Sequence, residues 1–124
     1  MLNLDTHILL AVMEGSLTRP EQALLHRVPE WGIAAIVLWE IEMLFRAGRI
    51  AHGLDDGTMA AMLASIAVWP LDQTVALSLR QLDFQSDPAD QIIAATSLAR
   101  RVPLVTRDAR LRNSSLLRRH GLVR

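Results

Sequence analysis

Met1-Leu2-Asn3-Leu4-Asp5-Thr6-His7 is the stretch on which the fold turns: Leu2 and Leu4 alternate with Asn3, and the run stops at an acid, a hydroxyl and an imidazole. The alternation has the period of a β-strand, and the polar stop marks its carboxyl end. Asp5 or Thr6 can then cap a short helix reaching to about Met13, which Gly15-Ser16 breaks. A strand that runs directly into a helix is the opening half of a strand-helix-strand unit, so further strands parallel to the first are expected.

Working outward, Thr18 before Arg19-Pro20-Glu21 is a capping signal that opens a helix to about Val28, closed by Pro29. Gly32 to Ile36 is an apolar run of strand length. From Val37 the pattern becomes helical to Ala47, with Gly48 as the stop and Glu40 in the first turn. Asp55-Asp56-Gly57-Thr58 precedes an alanine- and methionine-rich helix to about Ala67, and Val68 to Leu71 has the length of a short strand, a reading that Pro70 weakens. Val75, Ala76, Leu79 and Leu82 recur at helical spacing. Asp87 as cap and Pro88 at the first helical position open a helix to about Arg100, and Val102 to Thr106 is a buried strand followed by Asp108. The tail adds a short helix and a last strand at Leu122-Val123. The alternation predicts an α/β domain in three α/β/α layers around a central parallel sheet, spanning residues 1–124 without repeat or linker.

Composition agrees with one ordinary domain: 124 residues, 51% of them apolar, suffice for a real core. The absence of cysteine excludes disulfides and thiolate metal sites and favours a reducing, cytoplasmic setting. No apolar run reaches the ~18 residues of a membrane span, and the N-terminus lacks the features of a signal peptide, so no membrane association or processing is expected. Formal charge is zero, yet eight of the thirteen arginines fall in residues 100–124 beside a single acid, Asp108. That tail suits an anionic partner or a solvated surface.

The informative residues are acids. In open parallel sheets ligands gather at the carboxyl ends of the strands. Asp5, Glu40 and Asp108 each fall at or just after a strand end, and Asp90 opens a helix that should start on the same rim. Helix capping and the helix dipole explain any one of them, at roughly 0.3–1 kcal/mol each. They do not explain a convergence. Carboxylates within a few ångströms of one another require protons or a cation, and an oxygen-only donor set without a histidine pair at ligand spacing suits Mg²⁺ or Mn²⁺. Helical phase leaves Glu40 and Glu42 both on the flanks of a stripe formed by Leu38, Ile41 and Phe45; proximity to the strand end favours Glu40. Other acid-rich α/β classes do not match. A phosphoacceptor receiver domain needs a lysine, and this chain has none; a haloacid dehalogenase needs an aspartate where His7 stands; a dinucleotide fold needs a glycine-rich turn where Asp5-Thr6-His7-Ile8 stands.

Leu4-Asp5-Thr6-His7, Leu38-Trp39-Glu40-Ile41, Asp87-Pro88-Ala89-Asp90 with Ile92-Ile93-Ala94-Ala95-Thr96, and Leu104-Val105-Thr106-Arg107-Asp108 together resemble a PIN domain of the VapC toxin type, in order and at matching separations. The resemblance implies a PIN-like fold whose acids Asp5, Glu40, Asp90 and Asp108 are catalytic, with Asp5 and Asp90 holding Mg²⁺ or Mn²⁺. It also implies a ribonuclease acting as the toxin of a toxin–antitoxin pair, partnered by a small antitoxin protein and by a second copy of itself. Thr6 and Thr106 become candidates for bonding the ligand carboxylates or the scissile phosphate, Asp87 a secondary candidate that more often serves as a helix cap than as a ligand, and Arg107, Arg110 and Arg112 candidates for phosphate contact. The chain departs from the family where Ala34 and Val37 stand in place of common serines, and where Gln91 replaces a common base. The competing reading is a non-catalytic binding module whose acidic rim and arginine tail serve protein association alone.

Overall fold

A computed structural model describes residues 1–124. Four strands, β1 (Leu2–Leu4), β2 (Trp31–Ala34), β3 (Ala67–Trp69) and β4 (Leu104–Val105), form one sheet in the order β3-β2-β1-β4, with every neighbouring pair parallel. Helices fill each connection. α1 (Thr6–Glu14) and α2 (Arg19–Arg27) join β1 to β2, and α3 (Ile36–Arg46) and α4 (Gly57–Ala64) join β2 to β3. α5 (Gln73–Ser78), a 3₁₀ turn (Leu79–Gln81) and α6 (Pro88–Arg100) lead to β4, after which come α7 (Ala109–Arg112) and α8 (Ser115–Arg119). This is the expected α/β/α architecture around a parallel sheet.

β1 lies at the centre because it is apolar on one face and specifically paired on the other. Leu2 and Leu4 enter the core with Ile8, Leu9, Ile33 and Ile41. Asn3, the polar member of the alternation, is also fully buried; its amide donates to the Ile93 carbonyl at 3.2 Å and to Ser97 Oγ at 2.9 Å, both on α6. The sheet is thus covered on both sides, as parallel sheets require. One consequence of the strand order fixes the site. The chain leaves β1 toward β2 on one side and returns to β4 on the other, so the order reverses beside β1 and opens a crevice at the carboxyl ends of β1 and β4.

The strands are shorter than the sequence suggested, for local reasons. β2 begins one residue early, at Trp31, and stops at Ala34 because the Leu38 amide already bonds the Ala35 carbonyl at 3.1 Å, closing the first turn of α3. Pro70, without an N–H, ends β3 at Trp69. β4 keeps only two residues, and Val123 contributes a single parallel bridge to Leu104 rather than a strand. The helix expected over 73–82 tightens to a 3₁₀ turn after Ser78, and the tail holds two short helices. On α3 the buried stripe is Val37 and Ile41, not Leu38, Ile41 and Phe45. Phe45 is 40% exposed and packs its ring edge over Gly53 instead.

Candidate active site

Asp5 ends β1 and caps α1, because its Oδ1 accepts the Thr6 amide at 2.7 Å. Its Oδ2 accepts the hydroxyl of Thr106, the first residue after β4, at 2.5 Å. Thr106 Oγ1 in turn accepts the Asp108 amide at 3.0 Å. Asp5 and both threonines are all but inaccessible, so the crevice between β1 and β4 is closed at its base by a hydrogen-bonded chain. Thr6 faces the other way and donates its hydroxyl to Glu40 Oε1 on α3. Asp90, in the first turn of α6, accepts Ser86 Oγ at 2.8 Å. Asp108 caps α7 by accepting the Arg110 and Leu111 amides at 2.8 and 3.3 Å.

Capping therefore accounts for Asp5 and Asp108, and not for Glu40 or Asp90. Asp87 occupies the cap position of α6, yet its side chain makes no capping bond; the Ser86 hydroxyl is spent on Asp90 instead. Glu42, the phase-equivalent rival of Glu40, is exposed.

The electrostatics tie the acids together. Burial pushes the Asp5 carboxyl up, against the bonds from Thr106 and Thr6 and the charge of His7, and the charge of Asp108 adds to the rise. Glu40 is raised by burial, opposed by its bond from Thr6, and raised further by Asp5 and Asp90. Asp90 follows the same pattern, with burial first, Ser86 opposing, then Asp5, Asp108 and Asp87 raising. The ion pairs of the chain are His52–Asp56, Arg100–Asp72 and Arg107–Glu21, so none of the four acids is neutralised by a base. The chemistry of this donor set fits a hard divalent cation. Its spacing does not yet form a ligand shell, since no three acids or histidines stand close enough to hold an ion. Like-charge repulsion opposes closer approach, and each carboxylate has at least one oxygen held by a hydroxyl or amide.

The arginines near the rim have protein partners. Arg107 borders the groove that holds His7 and Asp108, and its guanidinium makes a two-pronged pair with Glu21 at 2.7 and 2.8 Å and donates to the Ser16 carbonyl at 3.2 Å. Arg110 donates to the Gln85 carbonyl at 3.3 Å. Arg112 is exposed and borders a groove of about 350 Å³ beside Thr106. A larger groove of about 580 Å³ opens from His7 and Asp108 between α1 and the end of α3, with Leu10, Leu44 and Ile50 in its lining and Arg49 at its edge. The sequence reading missed Ser86 and Glu21. Ser86 is four residues before Asp90, a spacing that could have suggested it; Glu21 was visible only as part of a capping box, because its partner lies 86 positions away.

Fold and site together define a small parallel-sheet α/β domain with an uncompensated carboxylate cluster at its topological switch point. The model of the PIN domain family matches residues 3–115, and the chain belongs to that family, whose members are nucleases that generally use divalent metal ions. Solved structures show the same fold. A VapBC2 complex from Rickettsia felis bound to a promoter DNA fragment matches with a TM-score of 0.70 at 14% identity, covering 100% of this chain and 98% of that one. FitAcB from Neisseria gonorrhoeae gives 0.66 at 20% identity over 90% of both chains, and a toxin–antitoxin complex from Klebsiella pneumoniae 0.64 at 23% over 87% of both. A comparison with curated proteins returns no significant match. No helix is long and apolar enough to cross a membrane.

Proposed function

We propose that this chain is a metal-dependent endoribonuclease that hydrolyses RNA phosphodiesters as the toxin of a toxin–antitoxin pair. The observation that carries the reading is the hydrogen-bonded chain at the carboxyl ends of β1 and β4, in which Thr106 joins Asp5 to the Asp108 amide and Thr6 joins Glu40 to the same end of β1, with none of the acids Asp5, Glu40, Asp90 and Asp108 in an ion pair. Carboxylates that raise one another's pKa are relieved by protons or by a cation, and an oxygen-only donor set suits a divalent ion. Asp5 and Asp90 would hold Mg²⁺ or Mn²⁺, with Glu40 and Asp108 as further ligands or as acceptors of hydrogen bonds from water. When bound, the ion supplies charge neutralisation at the scissile phosphate and lowers the pKa of an attacking water.

The chain's own residues set the rest. Thr106 and Thr6 donate their hydroxyls to the Asp5 and Glu40 carboxylates and so limit the rotation of each, which gives the carboxylate's other oxygen a defined direction. Solved neighbours that are toxin–antitoxin complexes support a small antitoxin protein as partner. The exposed Trp39 and Met43 on α3 support a second copy as a further partner.

Asp5→Asn tests the assignment. It should abolish Mg²⁺- or Mn²⁺-dependent cleavage of total RNA while the far-ultraviolet circular dichroism and a cooperative melt persist. A pure wild-type protein that cuts no RNA under any divalent ion would leave the binding-module reading in its place.

A further inference from the structure

Arg107 is the only residue that borders both grooves, and its guanidinium is occupied rather than free. The neighbours on either side of it in sequence are the two that build the crevice from the β4 side. Thr106 donates to Asp5 Oδ2 at 2.5 Å and accepts the Asp108 amide at 3.0 Å, and Asp108 caps α7. Residues 106 to 108 are thus anchored inward at Thr106 and onward at Asp108, while Arg107 anchors them outward to the first turn of α2. There Glu21 Oε1 and Oε2 receive Arg107 at 2.7 and 2.8 Å, and Oε1 also accepts the Thr18 amide at 2.8 Å. The Ser16 carbonyl takes a third bond from the guanidinium at 3.2 Å. The Arg107 side chain is 41% exposed and that of Glu21 only 15%. A bidentate guanidinium–carboxylate pair is directional, and a fork of this kind transmits position in a way that a lone charge does not.

We propose that the Arg107–Glu21 pair is a positioning strut: through it the α1–α2 turn and the start of α2 set where Thr106 and Asp108 stand relative to Asp5. Arg107 is then a positioning residue and not a contact to substrate phosphate, the role that an arginine beside a catalytic acid would otherwise suggest. The catalytic half of this inference rests on the nuclease reading above; the structural half does not.

The experiment compares the wild type with Glu21→Gln, Arg107→Gln, Arg107→Lys and the Glu21→Gln/Arg107→Gln pair, using single-turnover cleavage of a single-stranded RNA oligonucleotide and amide hydrogen exchange at Asp108 by NMR in EDTA. Glutamine at 21 still completes a capping box, so α2 is retained. The strut predicts that the three single variants each lose about 5- to 10-fold in kcat, with KM and salt dependence unchanged, that the double variant is no worse than either single, and that Asp108 exchanges faster in all four. Three results overturn it. In the first, Arg107→Lys cleaves as well as the wild type, and Arg107→Gln raises KM and lowers the slope of log affinity against log salt by about 0.7, which marks a phosphate contact. In the second, losses add in the double variant. In the third, Asp108 exchange is unchanged in Glu21→Gln. If the wild type cuts no RNA, the nuclease reading falls, and the exchange measurement alone decides the strut.

Discussion

Asp5, Glu40 and Asp90 all have pKa values raised first by burial and then by neighbouring carboxylates, Asp108 for Asp5, Asp5 and Asp90 for Glu40, and Asp5, Asp108 and Asp87 for Asp90, and the sign of the resulting pH dependence follows directly. A raised folded pKa means that the native state binds protons more tightly than the unfolded chain. Stability from these groups is therefore fully present below their unfolded pKa values, near pH 4, and is lost as pH rises through the higher folded values. Without divalent ions, the share of stability that these acids carry should fall as pH rises above about 4, so Asp90→Asn should gain in melting temperature relative to the wild type between about pH 4 and about pH 8. Adding Mg²⁺ at the upper pH should raise the wild type more than the variant. A melting temperature indifferent to both changes would mean that the acids do not share one field. Glu21 has the opposite sign: held at about 2 by Arg107, its carboxylate contributes stability above the ordinary glutamate range and loses it only in strong acid.

At the scale of elements, close packing within the sheet produces a separate prediction. Gly32 on β2 lies under the Trp69 ring of β3, and a Cβ built there would meet Trp69 Cη2 at 2.6 Å. Gly32→Ala should cost about 1–3 kcal/mol through overpacking, read from the urea midpoint, and Trp69→Leu in the same chain should recover part of it. An unchanged midpoint in the single variant would show that the ring moves freely. Element types were legible in the sequence because periodicity and caps are local: Asp5, Thr18, Asp56 and Asp72 each cap a helix by a side-chain bond. Strand lengths were less legible. A parallel strand ends where its neighbour stops pairing, and β4 is limited to Leu104 and Val105 by what β1 offers it, a fact that no local pattern encodes. The placement of Asp5 and Asp108 just after β1 and β4 was legible for a topological reason, since strand ends can be placed before side chains can. The direction of Arg107 could not be found that way, because its partner is fixed only once α2 has docked beside β4.

For the molecule as a whole, the apolar surface is uneven: Trp39 is 55% exposed and Met43 42%, one turn apart on α3, a helix whose other face is in the core. If that surface mediates self-association, Trp39→Glu should shift the mass measured by sedimentation from dimer to monomer without lowering the melting temperature; a wild type that is monomeric at high micromolar concentration removes the idea. The sheet order carries a different consequence, one of timing. Asp5 and Thr106 are 101 residues apart and meet only when β4 pairs with β1, the last strand to be synthesised joining the first. Contacts of such separation form late because a long loop must close before they gain anything. On the nuclease reading, a chain in which β4 has not yet paired with β1 carries Asp5, Glu40 and Asp90 without the Thr106 contact and the placed Asp108 that complete the crevice, so cleavage should wait for that pairing.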